Sequence, residues 1–203
     1  MAIKDRSRLD DHYSQKARSQ GYPARSVYKL AEFDEKYSLF RSGQKVLDLG
    51  CAPGSWTMYA AEKVGPKGLV VGVDLAIPQG SFPEWVKLLA VDLLSVGDAE
   101  TWGAEFFQLG ADGVLSDLAP KTTGRREVDQ ARSLELALAA WSWAERLLKP
   151  GGFFLFKVFQ SPAADEFIQR ARVRFQKLIR LKPQASRKQS QEIFALLKGF
   201  KAE

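Results

Sequence analysis

The residues best placed to do chemistry are four aspartates that each close an apolar run, and a lysine inside a fifth. Asp48, Asp74, Asp92 and Asp117 end successive runs, and Lys157 sits in Phe154-Leu155-Phe156-Lys157-Val158-Phe159. Aspartate is poorly suited to strands and is rarely buried unpaired, so four of them at run ends are hard to explain as packing. A lysine in an apolar β pattern is costly unless it is paired or works. Buried beside a second cation, a lysine gives up its proton more readily, and it could then take one from a hydroxyl group.

The first of these acids opens Asp48-Leu49-Gly50-Cys51-Ala52-Pro53-Gly54-Ser55-Trp56. This reads as a strand that turns sharply into a helix, with Gly50 and Gly54 letting backbone approach a ligand. It is the place where an α/β sheet binds a nucleoside-type cofactor. The pattern is not the G-x-G-x-x-G of dinucleotide sites, because one Gly precedes a Pro-Gly pair. It suits S-adenosylmethionine (SAM), which has an amino-acid end to hold and no pyrophosphate. In that reading Asp74 accepts the ribose hydroxyls and Asp92 takes the adenine amino group. Asp48 supports the turn or the methionine ammonium, Pro53 shapes the turn, and Trp56 offers a face for packing. Ser116-Asp117-Leu118-Ala119-Pro120 lacks the Asn/Asp-Pro-Pro-aromatic pattern of enzymes that methylate exocyclic amines, and points to a hydroxyl acceptor instead.

These residues need a sheet to align them. Strand patterns cover Lys45–Leu49, Leu69–Asp74, Val86–Asp92, Gly113–Asp117, Phe153–Val158, Lys177–Lys182 and Ile193–Lys198. Helix patterns cover Tyr22–Leu39 (Val27, Leu30, Phe33 and Tyr37 inward), Ser55–Val64, 130–148 and a segment opened by Ser161-Pro162 and running to about Arg174. In 130–148 the stripe Leu134, Leu138, Trp141 and Leu148 is expected to face the sheet. The alternation argues for an α/β fold with a mostly parallel seven-stranded sheet and helices on both faces. The last two strands are joined too closely for a crossover helix, so they are expected to pair as a hairpin with one antiparallel strand. Residues 121–127 and 183–190 are expected to be mobile loops. A single methyltransferase domain is expected over 1–203, with 1–40 a basic helical extension and 41–203 a Rossmann-like core.

The 203 residues carry a net charge of +6, unevenly spread. Residues 1–30 hold seven Lys/Arg against three Asp, and 168–191 hold eight Lys/Arg and no acid. Two basic flanks around an acidic centre suggest a polyanion-binding face beside a separate pocket. No apolar run approaches the roughly 18–20 residues of a membrane span, and no apolar signal-peptide core follows Met1. One cysteine rules out an internal disulfide, and one cysteine with one histidine argues against a His/Cys metal site. A cytoplasmic monomer without a metal is the expectation.

At these residues the chain resembles the RrmJ/FtsJ family of SAM-dependent RNA 2′-O-ribose methyltransferases. The likeness runs from Ser26-Val27-Tyr28-Lys29-Leu30, through Asp48–Trp56 and Ser116–Pro120, to Lys157-Val158-Phe159-Gln160 and Ser186–Phe194. It implies a catalytic Lys-Asp-Lys-Glu tetrad of Lys29, Asp117, Lys157 and Glu192, and SAM contacts at Gly54, Trp56, Asp74, Asp92 and Asp117. It also implies a uridine ribose of large-subunit ribosomal RNA as acceptor, with tRNA anticodon-loop riboses as the nearest alternative. In this reading Lys157 activates or positions the 2′-OH, Asp117 orients Lys157, and Lys29 with Glu192 forms an outer pair. Ser55 departs from the second Gly of many members, and Cys51 replaces a small apolar residue. The RNA face would be Lys4, Arg6, Arg8 and Arg25 on one side, Arg187 and Lys188 on the other, and Arg125 and Arg126 after Asp117. Such residues contact phosphates and give affinity more than sequence choice.

Three other readings fit these residues less well. An NAD-linked dehydrogenase does not fit the Gly pattern. A SAM-binding ribosome-assembly protein without catalysis would be expected to lose tetrad residues. A small-molecule O-methyltransferase would not need two basic flanks.

Overall fold

A computed structural model describes residues 4–94, 105–108, 110–186 and 190–201, with side chains from residue 12 onward. Its strands are β1 (Lys45–Leu49), β2 (Leu69–Asp74), β3 (Val86–Ala90), β4 (Ala111–Ser116), β5 (Leu148–Phe159), β6 (Phe175–Leu181) and β7 (Glu192–Phe200). They form one sheet in the order β3-β2-β1-β4-β5-β7-β6. The pairs from β3 to β5 are parallel, and β7 runs antiparallel between β5 and β6. The expected α/β sheet with its closing hairpin is therefore present. The helices are α1 (Lys4–Ser19), α2 (Val27–Tyr37), α3 (Ser55–Val64), α4 (Arg126–Leu147) and α5 (Pro162–Arg172).

Successive side chains on a strand point to opposite faces, and that alternation sorts the core into two layers. Val46, Val70, Leu115, Phe153, Leu155, Phe194 and Leu196 pack on one face with Val27, Leu30 and Phe33 of α2 and Trp56, Ala60 and Val64 of α3. Leu47, Leu49, Val71, Val73, Val114, Phe154 and Phe156 pack on the other, with α4 and α5. The same parity fixes the polar residues. Asp48 shares a face with Val46, Asp74 with Val70, Asp117 with Leu115, Lys157 with Leu155, and Glu192 with Phe194. All five thus belong to the face covered by α2 and α3.

The structure corrects several expectations. Helix α4 buries mostly small residues, Ser133, Ala137, Ala140 and Ala144, together with the single large Trp143, whereas Leu138 is 40% exposed. Small side chains let the helix approach closely, so Leu134 and Trp141 pack only at its flanks. Leu148 belongs to β5, where it pairs with Ala111. The third strand stops at Ala90, so Asp92 lies just beyond it. The 121–127 loop, expected to be mobile, is tied down. Asp129 accepts from Thr123 N at 2.7 Å, Thr123 Oγ1 at 2.9 Å and Gly124 N at 3.1 Å. The 183–190 loop is held at its described ends, with Gln184 N donating to Glu32 and Lys182 Nζ to Ser190 O.

The two assignments of the α4 face predict opposite mutant behaviour. Ala140→Leu should overpack the sheet face and cost about 1–3 kcal/mol, lowering the thermal midpoint by about 2–4 °C per kcal/mol. Leu138→Ala should stay within about 0.5 kcal/mol of the parent. Thermal denaturation of both variants checks this; a larger loss in Leu138→Ala would restore the stripe read from the sequence.

Candidate active site

The site begins at the turn after β1. Gly50 has φ +77° and Gly54 has φ +111°, both in the left-handed region. A Cβ at Gly50 would stand 2.7 Å from the Leu118 side chain, and one at Gly54 would stand 2.9 Å from the Phe82 ring. Glycine is therefore required twice, for conformation and for room. Pro53 follows a cis peptide bond between them. The chain then enters α3, whose first backbone N–H groups lack partners within the helix and suit a carboxylate.

The aspartates surround this turn. Asp74 Oδ2 accepts from Ala52 N at 3.0 Å and Oδ1 from Ala76 N at 3.2 Å. Each oxygen keeps a further lone-pair site for a hydroxyl. Asp92 Oδ1 accepts from Leu94 N at 3.0 Å, the same local turn one strand further out. Asp48 is wholly buried, and its Oδ2 accepts from Thr57 Oγ1 at 2.7 Å. Its Oδ1 has no partner. Burial pushes the Asp48 carboxyl up to about 7; the Thr57 hydrogen bond opposes this, and the charges of Asp117 and Asp74 add to it. A buried oxygen without a partner, beneath two obligatory glycines, suits a ligand that brings an ammonium group. The residues present fit the amino-acid end of SAM.

Trp56 requires a correction. Its indole is buried, donates to Ser26 O at 2.8 Å and packs 5.9 Å from the Phe194 ring. It offers no ring face to a ligand. Its backbone, at the start of α3, is what remains near the turn. Ser55 is equally structural: its hydroxyl accepts from Ala24 N at 2.8 Å and donates to Ala24 O at 3.1 Å. Ser55 and Trp56 together fasten the segment before α2 to the glycine turn.

The four tetrad residues meet as two ion pairs. Ser116 pairs with Phe156 in register, so one step further along the parallel strands Asp117 stands beside Lys157. Lys157 Nζ donates to Asp117 Oδ1 at 2.6 Å and to Asp117 O at 2.7 Å, with only 6% of its side chain exposed. Lys29 comes down from α2 and meets Glu192 Oε1 at 2.7 Å. Burial acts to raise the Glu192 carboxyl, but the Lys29 charge and hydrogen bond outweigh it, so Glu192 titrates below the usual range. The Lys157 charge acts in the same lowering direction on Glu192, so the two pairs sense each other. Phe194 lies beneath them, 5.3 Å from Lys29 Nζ.

The sequence reading overlooked Thr57, Asp129 and Phe194. Thr57 sits two residues after Ser55, close enough to reach back to the end of β1. Phe194 shares the parity of Glu192. Asp129 had no usable signal, because it bonds to a loop rather than to its own helix end. Of the cations assigned to RNA, Arg125 and Arg126 are exposed at the start of α4, and Arg25 is half-buried before α2. Lys4, Arg6 and Arg8 fall in α1 where only backbone is described, and Arg187 and Lys188 lie outside the described residues.

Asp48 gives a test by pH. Unfolded, it titrates as an ordinary aspartate near 4; folded, it titrates at about 7. The folded chain therefore holds the extra proton between those values, and stability should fall as pH rises through this window. Urea denaturation of the ligand-free protein from about pH 5 to about pH 8 should show that fall, and Asp48→Asn should flatten it. An unchanged slope in the variant would place the titrating group elsewhere.

Comparison with known proteins agrees with this geometry. The family model described as FtsJ-like methyltransferase matches residues 22–200. A protein of Nitratidesulfovibrio vulgaris (strain DP4) named ribosomal RNA large subunit methyltransferase E is 46% identical over 192 residues, covering 94% of this chain and 93% of its own. A protein of the same name from Syntrophobacter fumaroxidans is 45% identical over 186 residues, covering 92% and 93%. Among solved structures, a ribosomal RNA methyltransferase from Plasmodium falciparum superposes with a TM-score of 0.77 at 24% identity, over 90% of this chain and 100% of that one. That last likeness supports the fold. With a family model spanning nearly the whole described sheet and relatives this similar along almost their full length, the chain belongs to the FtsJ-like methyltransferases.

Proposed function

We propose that this protein transfers a methyl group from SAM to a ribose 2′-OH of large-subunit ribosomal RNA, most specifically a uridine. The observation that carries this is the Lys157–Asp117 pair, standing on the same sheet face as the glycine turn and backed by Lys29–Glu192. The relatives' name supplies the RNA, and the basic flanks suit it. In this reading the protein works as a cytoplasmic monomer. No helix among the described residues is long and apolar enough to cross a membrane. Among the same residues no three His, Cys, Asp or Glu side chains gather as metal ligands.

SAM supplies an electrophilic methyl group on a sulfonium centre. The turn at Gly50–Gly54, the α3 N-terminus and Asp48 hold its amino-acid end, Asp74 its ribose and Asp92 its adenine. Lys157 is the group for the acceptor. An ammonium has three donors, and two are committed to Asp117, so one remains for the 2′-oxygen. That contact orients the oxygen, and positioning two reactants can supply on the order of 7–11 kcal/mol at best. Asp117 fixes the direction of Lys157 Nζ and offers Oδ1 for the proton that the acceptor oxygen releases. Lys29 and Glu192 act on Lys157 and on the ribose as positioning residues. Arg125 and Arg126, where the loop pinned by Asp129 enters α4, lie ready for phosphates beside the acceptor.

The test uses labelled SAM with large ribosomal subunits, free ribosomal RNA and tRNA from a strain lacking this protein. Label should enter the large-subunit substrate, and Lys157→Ala should lower the single-turnover rate by about 10²–10⁴, while SAM affinity stays within about twofold of the parent. Label confined to tRNA would move the substrate and keep the chemistry. SAM binding with no transfer to any RNA would favour the assembly-protein reading.

A further inference from the structure

We propose that the α1–α2 junction is a stacking site for unpaired RNA bases flanking the acceptor nucleotide. The inference rests on the RNA reading above and adds a mode of recognition to it. Three rings line up across the two helices. His12 meets Tyr13 edge-on with centroids 5.8 Å apart, and Tyr13 meets Tyr28 at 5.5 Å and a 49° tilt. Lys16 Nζ lies 4.9 Å from the centre of the Tyr28 ring. The Tyr28 hydroxyl donates to Gln20 Oε1 at 2.8 Å, which fixes that ring at the end of α1.

Packing accounts for Tyr28, which lies against the core beneath α2 with Lys16 over its ring, but not for the rings of His12 and Tyr13 that extend from it. The buried contacts at this junction are made by Ala17, Val27 and Leu30, each at most 1% exposed. His12 is exposed, and Tyr13 and Tyr28 are half-buried, beside the exposed Lys16 and Arg18. Aromatic faces interleaved with cations are what a single strand of nucleic acid uses: bases stack on rings while phosphates meet the positive charge. A paired helix hides its base faces and gains only from the charge.

The junction is also rigidly placed. Ser55 clasps Ala24, and Trp56 holds Ser26 O, so the turn between α1 and α2 is bonded to the start of α3. Tyr28 directly precedes Lys29, which reaches Glu192. Bases held on Tyr13 and His12, with Tyr13 resting on Tyr28, would therefore lie in fixed relation to both the glycine turn and the tetrad.

The experiment measures binding of the full chain to a short labelled oligouridine and to a labelled RNA duplex of the same length, by fluorescence anisotropy across a salt series. Tyr13→Leu keeps apolar bulk and removes the ring; it should weaken oligouridine binding about tenfold and leave duplex binding unchanged. Tyr13→Phe should retain parental affinity for both. His12→Ala, at an exposed position, should show a smaller loss on the oligouridine only. The salt slope should be the same in all three variants, since no phosphate contact is lost. Parental oligouridine affinity in Tyr13→Leu would overturn the stacking site, as would equal losses on both RNAs. If the parent binds RNA and transfers methyl groups while Tyr13→Leu behaves like it, stacking alone falls. If the parent binds neither RNA, the RNA reading falls with it.

Discussion

A lysine buried in an apolar sheet has to be compensated, and the rest of this site follows from how Lys157 is. A buried cation left without a partner is strongly destabilising, and pairing repays the cost only with good geometry. Asp117 supplies that geometry with both its carboxylate and its backbone oxygen. This in turn requires that β4 and β5 be parallel neighbours in a fixed register. A slip of one residue would send Lys157 to the opposite face, among Phe154 and Phe156. The ion pair and the strand register are thus one constraint seen at two scales.

The same parity gathers the other functional groups. Asp48, Asp74, Lys157 and Glu192 come from four different strands and Asp117 directly follows a fifth, yet each sits an even number of residues from a core residue of the α2–α3 face. Chemistry and core alternate along the same strands: the apolar residues stop near the carboxyl ends of the parallel strands, and the polar ones continue the row. Helix α2 then closes the arrangement from above. It is held by Val27, Leu30 and Phe33 on the sheet and by Ser26 on Trp56, and it delivers Lys29 to Glu192. Residues that look like spare parts of a cofactor motif, Ser55 and Trp56, tie this helix to the turn.

Much of this was legible in the sequence where punctuation is sharp. β1, α3 and β2 have the boundaries read from the glycines, the aspartates and the apolar runs between them. Ser161 caps α5 as its pairing with Pro162 indicates, accepting from Ala164 N. The limits appeared where tertiary contacts choose between local options. The apolar stripe of 130–148 pointed to large residues, but close approach to the sheet selects Ala137, Ala140 and Ala144. Asp129 fell outside the helix read over 130–148, and it holds the loop before it through Thr123 and Gly124. Trp56 carries a family motif in its backbone position while its indole serves the core. The four tetrad members and their division into Lys157–Asp117 and Lys29–Glu192 followed from type and family motif; the coordinates add the second bond of Lys157, to the Asp117 backbone oxygen.

Whether these two pairs act on a ribose hydroxyl is decided by the chemical identity of the product. Large subunits labelled by the protein with SAM are digested to nucleosides and analysed by mass spectrometry. A uridine bearing its new methyl group on the ribose 2′-oxygen is the expected product. A methyl group on a base would contradict it, because Lys157 and Asp117 would then be positioned for an acceptor that the enzyme does not use.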